Sequence, residues 1–180
     1  VRKLNKKITD ESVLEAILES CHTGRLGTVG PDGWPMVKPL SFAYYEGRIY
    51  FHCALEGEKL DHIRHDDRVC FEVDLPIAYI RGTTENPCRA EYLYRSAIIK
   101  GRASIVDDRD ERLLALDRLM AKYQPDGGYG SYPEEKLALT CIVRIDMAEM
   151  SGKEDLGKGD IKEQVLQLLK SKEKLPVIIA

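Results

Sequence analysis

The sequence predicts a mainly β protein with accompanying helices (α+β), built on an antiparallel barrel rather than a doubly wound sheet. Three observations predict it. About six short runs alternate in hydrophobicity, turn residues separate most of them, and no regular β-α-β alternation appears. The chain has 180 residues, 43% hydrophobic and 32% charged. That suits one globular domain with a real core.

The elements follow in order. Thr9-Asp10-Glu11-Ser12 reads as a helix start, with polar caps and acids at the positive end. Val13, Leu14, Ile17, Leu18 and Cys21 recur at helical spacing behind it. Arg25 to Val29 reads as a strand, closed by the turn Gly30-Pro31-Asp32-Gly33. Met36 to Ala43 and Arg48 to Cys53 are alternating runs around Tyr45-Glu46-Gly47. Pro39 lacks the N–H a central strand needs. Two readings of that strand stand: a plain edge, or a backbone free to face a ligand.

In the run from Arg48 to Cys53, Ile49, Phe51 and Cys53 fall on one face and Tyr50 and His52 on the other. Gly57 to Asp66 reads as a short helix, and Arg68 to Asp74 as a strand with Val69, Phe71 and Val73 inward. Leu75 to Arg89 is expected as an irregular excursion, because it holds Pro76, Gly82 and Pro87. Leu93 to Val106 reads as a long strand and Asp107 to Tyr123 as an amphipathic helix. Leu137 to Met147 supplies the last expected strand. Residues 1–150 are expected as the barrel domain. Residues 151–180 are expected as a polar connector and a terminal helix, in the same domain or packed on a partner subunit.

Composition excludes several classes. A net charge of −3 leaves no basic footprint for nucleic acid. No apolar run nears the roughly 20 residues of a membrane span, and the charged start lacks a signal-peptide core. A cytoplasmic protein is expected. Five widely spaced cysteines without C-x-x-C fit neither a disulfide framework nor a zinc site. Cys70 and Cys141, in apolar β-like runs, read as small buried thiols. P-loop, dinucleotide and serine-hydrolase fingerprints are missing.

Among residues able to carry chemistry, Lys59 stands in the first turn of a helix that follows a strand. There it could add a charge to free backbone N–H groups around a phosphate, with Gly57 permitting close approach; a solvated surface lysine is the plainer reading. Arg95 and Ser96 offer a guanidinium and a hydroxyl to the same kind of group, or form an ordinary exposed strand. His52 at a strand end suits acid, base or donor work, or a half-buried structural role. His62 and His65 are three apart, but their acidic neighbours favour a solvated face over a metal pair.

Six segments then point further: R-L-G-T-V, P-M-V-K-P-L-S-F, G-R-I-Y-F-H-C-A, G-E-K-L-D-H-I-R, R-V-C-F-E-V-D and Y-R-S-A-I-I-K-G-R-A. In this order, within Asp10 to Met150, they resemble the FMN-binding split β-barrels of the pyridoxamine 5′-phosphate oxidase-like superfamily. Within it they resemble the branch related to nitroimidazole-resistance proteins. The resemblance implies a homodimer with FMN at the subunit interface and an oxidoreductase acting on a small acceptor, nitroaromatic compounds among them. It implies that Val37, Lys38, Pro39 and Leu40 lie along the isoalloxazine, with His52 and Cys53 near the ring and ribityl chain and His52 facing substrate. It places Lys59 and Ser96, with Arg95, at the phosphate. Pyridoxamine-phosphate oxidation itself is not implied. Glu58 stands where those oxidases carry a basic residue, and the ending S-K-E-K-L-P-V-I-I-A lacks their R-L-x-P tail. The alternative on the same fold is a non-enzymatic carrier or sensor holding flavin or haem, and relatives with a deazaflavin exist.

Overall fold

The computed structural model describes residues 3–171 and 174–179. In chain order its strands and helices are β1 (Lys7–Ile8), α1 (Glu11–Ser20), β2 (Gly24–Val29), β3 (Pro35–Leu40), β4 (Ala43–Tyr45), β5 (Arg48–Cys53), α2 (Glu58–His65), β6 (Arg68–Ile80), β7 (Glu91–Ile105), α3 (Arg109–Tyr123), α4 (Glu134–Leu137), β8 (Cys141–Asp155), α5 (Asp160–Leu168) and β9 (Val177–Ile179). Strand order is β3-β2-β6-β7-β8-β5-β4, with β1 pairing with β8 and β9 with β6. The β1–β8, β2–β3, β2–β6, β4–β5 and β5–β8 ladders are antiparallel, while β6–β9 is parallel. This is an α+β fold on a mostly antiparallel, open sheet.

The chain divides into two units. One holds residues 1–17, 74–97 and 151–180, the other residues 18–73 and 98–150. In the first, Ile77, Ala78, Leu93, Leu156 and Val165 form a buried cluster, with Ile161, Leu166 and Leu169 packed on it. The terminal helix α5 thus covers a core of its own chain. Two expectations change here. Leu75 to Ile80 continues β6, because β9 supplies a parallel partner at Ala78 to Ile80. The connector expected from Ser151 begins as strand, with β8 running to Asp155 and pairing with β1 at Lys153 and Gly152.

In the second unit, Phe42 and Phe71 meet edge to face at 5.0 Å, and both are fully buried beside Leu26, Ile49 and Phe51. The turn from β4 to β5 carries Glu46 and Gly47 at φ 47 and 74, the paired positive values of a tight hairpin. Strict alternation in β5 fails at Tyr50, which is buried along with Ile49 and Phe51. The reason is α3, which covers that face: Tyr50 clusters with Val106, Ala115 and Ile142. Its hydroxyl donates to Glu111 at 2.9 Å. Arg144 on β8 bonds the same carboxylate at 3.0 and 3.1 Å. Asp108 caps α3 by accepting from the Glu111 N–H at 2.8 Å. At the far end of the helix, the Tyr123 hydroxyl accepts from the Phe42 N–H at 2.9 Å and donates to the His22 carbonyl. Lys122 lies over the Phe42 ring at 3.7 Å and donates to the Leu18 carbonyl at 2.8 Å.

Candidate functional site

Within the second unit, α2 is fixed by its buried face. Leu60, His62 and Ile63 are buried, and His62 Nδ1 lies 3.1 Å from Thr28 Oγ1 on β2. His62 is therefore a packed structural residue, and no metal-binding group of three or more ligands occurs among the described residues. This anchoring leaves the start of α2 to the other side. Gly57 occupies the N-cap at φ 133, a backbone that favours glycine, with open space around its α-carbon and no capping side chain. The N–H groups that open a helix have no intrahelical acceptor. Lys59 follows two residues later, partly buried.

Two neighbouring strands, β3 and β5, converge on this helix start. From β3, the Lys38 ammonium lies 3.4 Å from the Glu58 carboxylate. From the end of β5, Cys53 lies close enough to Lys59 to feel its charge. Burial and the neighbouring Cys141 push the Cys53 thiol up to about 11, while Lys59 pulls the other way. His52 is exposed beside it, opposite Ile142 in the β5–β8 register. The strand β3 ends the strand order and is largely exposed, with Val37 63% accessible and Trp34 before it 74%. It offers an apolar shelf and two prolines next to a helix start whose first turn carries Lys59 between Glu58 and Asp61.

Lys38, Cys53 and Lys59 are thus brought together, and Val37, Pro39, Leu40 and His52 lie on the strands that carry them. Arg95 and Ser96 belong to the first unit. There Arg95 Nε donates to Glu154 at 2.9 Å, and Ser96 Oγ donates to the Lys153 carbonyl at 3.4 Å. Two features escape sequence reasoning. One is the Lys38–Glu58 pair, which offsets the negative charge of Glu58 beside Lys59. The other is a groove of about 540 Å³ on the outer sheet face, lined by Val29, Val37, Cys70, Gly101 and Ala148 with Arg68, Lys100 and Arg102 at its margin. Cys70 is exposed there rather than buried. The signal was available, since Cys70 alternates with the inward Val69 and Phe71.

The arrangement supplies a flat apolar strand, a helix start able to receive an anion and an exposed histidine. The 5-nitroimidazole antibiotic resistance protein candidate of Bacteroides thetaiotaomicron has a similar structure. Its TM-score is 0.73 and its identity 24%, over 82% of this chain and 86% of that one. The flavocytochrome Anf3 of Azotobacter vinelandii matches at TM-score 0.75 and 20% identity, over 91% and 77%. The FAD and heme binding protein of Mycobacterium smegmatis matches at 0.75 and 18%, over 90% and 79%. At these identities the likeness establishes the fold. No curated protein matches the sequence. Residues 10–154 match the family described as pyridoxamine 5′-phosphate oxidase, which is most of the chain. The chain belongs to that family.

Proposed function

We propose that this protein is an FMN-binding oxidoreductase that works as a homodimer and reduces a small acceptor, with nitroaromatic compounds as the first class to test. One observation carries the reading: the exposed strand β3 stands beside an uncapped helix start bearing Lys59, joined to it by the Lys38–Glu58 pair. Val37, Lys38, Pro39 and Leu40 would shelf the ring, and Lys59 with the first amides of α2 would hold the phosphate. His52 would face the acceptor, and Cys53 would line the site. Arg95 and Ser96 are assigned to the phosphate of a flavin by resemblance alone. When bound, the flavin supplies the electron transfer; the protein orients the ring and excludes water. The apolar outer face around Val29 and Val37 supports a second copy of the chain as the partner. No helix of the described residues is long and apolar enough to cross a membrane, and a cytoplasmic setting is part of the proposal.

The test is a visible absorption spectrum of the purified protein, with the released chromophore identified by mass spectrometry and its stoichiometry set against the oligomeric state. FMN at one per chain in a dimer is the expected result. FAD or a deazaflavin would keep the site and change the cofactor. A haem spectrum would replace the oxidoreductase with the carrier or sensor reading. A colourless protein that also fails to bind added FMN refutes the proposal.

A further inference from the structure

Two cysteines to which the proposed function gives no redox step stand opposite each other in the sheet. In the antiparallel β5–β8 ladder, Cys53 is the register partner of Cys141. Directly opposed residues on antiparallel strands have Cα atoms about 4.5 or 5.5 Å apart. Either spacing lies within the roughly 4.4–6.8 Å that a disulfide spans. The two thiols lie close enough to perturb each other's protonation, and Cys141 Sγ donates to the Ile142 carbonyl at 3.8 Å. Cys53 is half-buried and Cys141 buried, so one sulfur can meet a reagent and the other waits behind it.

We propose that Cys53 and Cys141 form a reversible disulfide that regulates cofactor binding at the adjoining site. The oxidant is a low-molecular-weight disulfide. The Cys53 thiolate attacks one of its sulfurs, the external S–S bond breaks, and the leaving thiolate takes up a proton. The Cys141 thiolate then attacks the Cys53 sulfur, expels the second external thiol and closes the protein disulfide. Two protein thiols are oxidised, one external disulfide is reduced to two thiols, and the bond between the strands is the product. Burial holds both thiols protonated near neutrality. Closure therefore accelerates as pH rises, since only the thiolate attacks.

The location gives the bond its consequence. Only Ala54 to Gly57 separate Cys53 from α2, whose second residue is Lys59. Tying Cys53 to the start of β8 restricts the segment that sets where the helix start sits. This regulatory part rests on the flavin reading above. By linkage, the cofactor shifts the thiol–disulfide equilibrium by the same factor by which the disulfide shifts cofactor affinity.

The test uses the full chain with the exposed Cys70 and Cys88 replaced (C70S, C88S), treated with oxidised glutathione at mildly alkaline pH. Peptide mapping is followed by FMN titration of the reduced and oxidised forms. A Cys53–Cys141 linked peptide, reversed by dithiothreitol, is expected, with FMN affinity differing by roughly 5–150-fold between the forms. A persistent glutathione adduct on Cys53 with Cys141 still reduced, or no reaction at either, overturns the disulfide. A disulfide with unchanged FMN affinity overturns its regulatory role. A disulfide in a protein that binds FMN in neither form supports the redox pair and refutes the flavin reading instead.

Discussion

Replacing Glu111 tests how α3 is held against the sheet. Its carboxylate accepts from the Tyr50 hydroxyl at 2.9 Å and from Arg144 at 3.0 and 3.1 Å, so one side chain joins α3, β5 and β8. In Glu111→Ala the Tyr50 O–H, on a fully buried residue, loses its acceptor. An unsatisfied buried hydroxyl costs about 1–3 kcal/mol. Arg144 keeps Asp146 at 2.9 Å. Its side chain and that of Glu111 are 27% and 21% exposed, so solvent screening limits that loss to about 1 kcal/mol. The expected destabilisation is about 2–4 kcal/mol, or roughly 4–16 °C in Tm for a chain of this size. Glu111→Gln keeps an acceptor for Tyr50 and should lose only about 1 kcal/mol. Urea and thermal unfolding of both variants, with Tyr50→Phe completing a double-mutant cycle, provide the assay. A Glu111→Ala protein within about 0.5 kcal/mol of the parent, or a cycle with no coupling, would refute the bridge.

Three further outcomes are expected. Lys59→Ala should weaken FMN binding about 10- to 100-fold, the worth of one charge-assisted hydrogen bond, while Glu58→Gln should tighten it; a fluorescence titration showing neither change removes Lys59 from the site. Burial pushes the Lys122 ammonium down to about 8 from 10.5. The unfolded chain thus binds more protons than the folded one between those values, and this group's contribution to stability rises across that window. Because the amine is partly exposed, the rise is held to about 1–2 kcal/mol. The difference between parent and Lys122→Met pH profiles isolates it from Cys53, which titrates in the opposite sense; a flat difference curve contradicts the assignment. Gly101→Ala would bring a Cβ to 2.5 Å from the Asp146 carbonyl oxygen, a backbone atom that cannot swing away. A drop in Tm of several degrees is expected, and an unchanged melting curve would show that β7 and β8 can part there.

How much could be read in advance depended on how local each feature is. The strand Gly24–Val29 and α3 declare themselves through turn residues and periodicity, and their bounds moved by a residue or two. The turn at Glu46-Gly47 was legible too, but the single run expected before it, Met36 to Ala43, divides into β3, which pairs with β2, and β4, which pairs with β5. Leu75 to Ile80 did not declare itself, because Pro76 argues against a strand and the partner that makes it one, Val177 to Ile179, lies about a hundred residues away. Tyr50 lies on the face opposite Ile49 and Phe51, as alternation places it, but its burial was not legible for a similar reason: the helix that covers that face, α3, comes far along the chain. The place of Lys59 in the first turn of a helix was legible from Gly57 and the helical period that follows. The pairing of Lys38 with Glu58, which turns an apparent repulsion into a neutralised neighbour, exists only once β3 and α2 meet.

Pro35 and Pro39 lie four apart on β3, so their nitrogens point to the same side of that strand. The ladder to β2 is continuous past both, with Pro35 opposite Val29 and Pro39 opposite Arg25, which puts the donor-less side away from β2. An incoming strand would find carbonyls there but few N–H groups to answer its own. A protein with an exposed strand at the end of its sheet order runs the risk of recruiting other chains by edge pairing. The two prolines lower that risk without closing the shelf, so replacing them should show itself first as aggregation on storage.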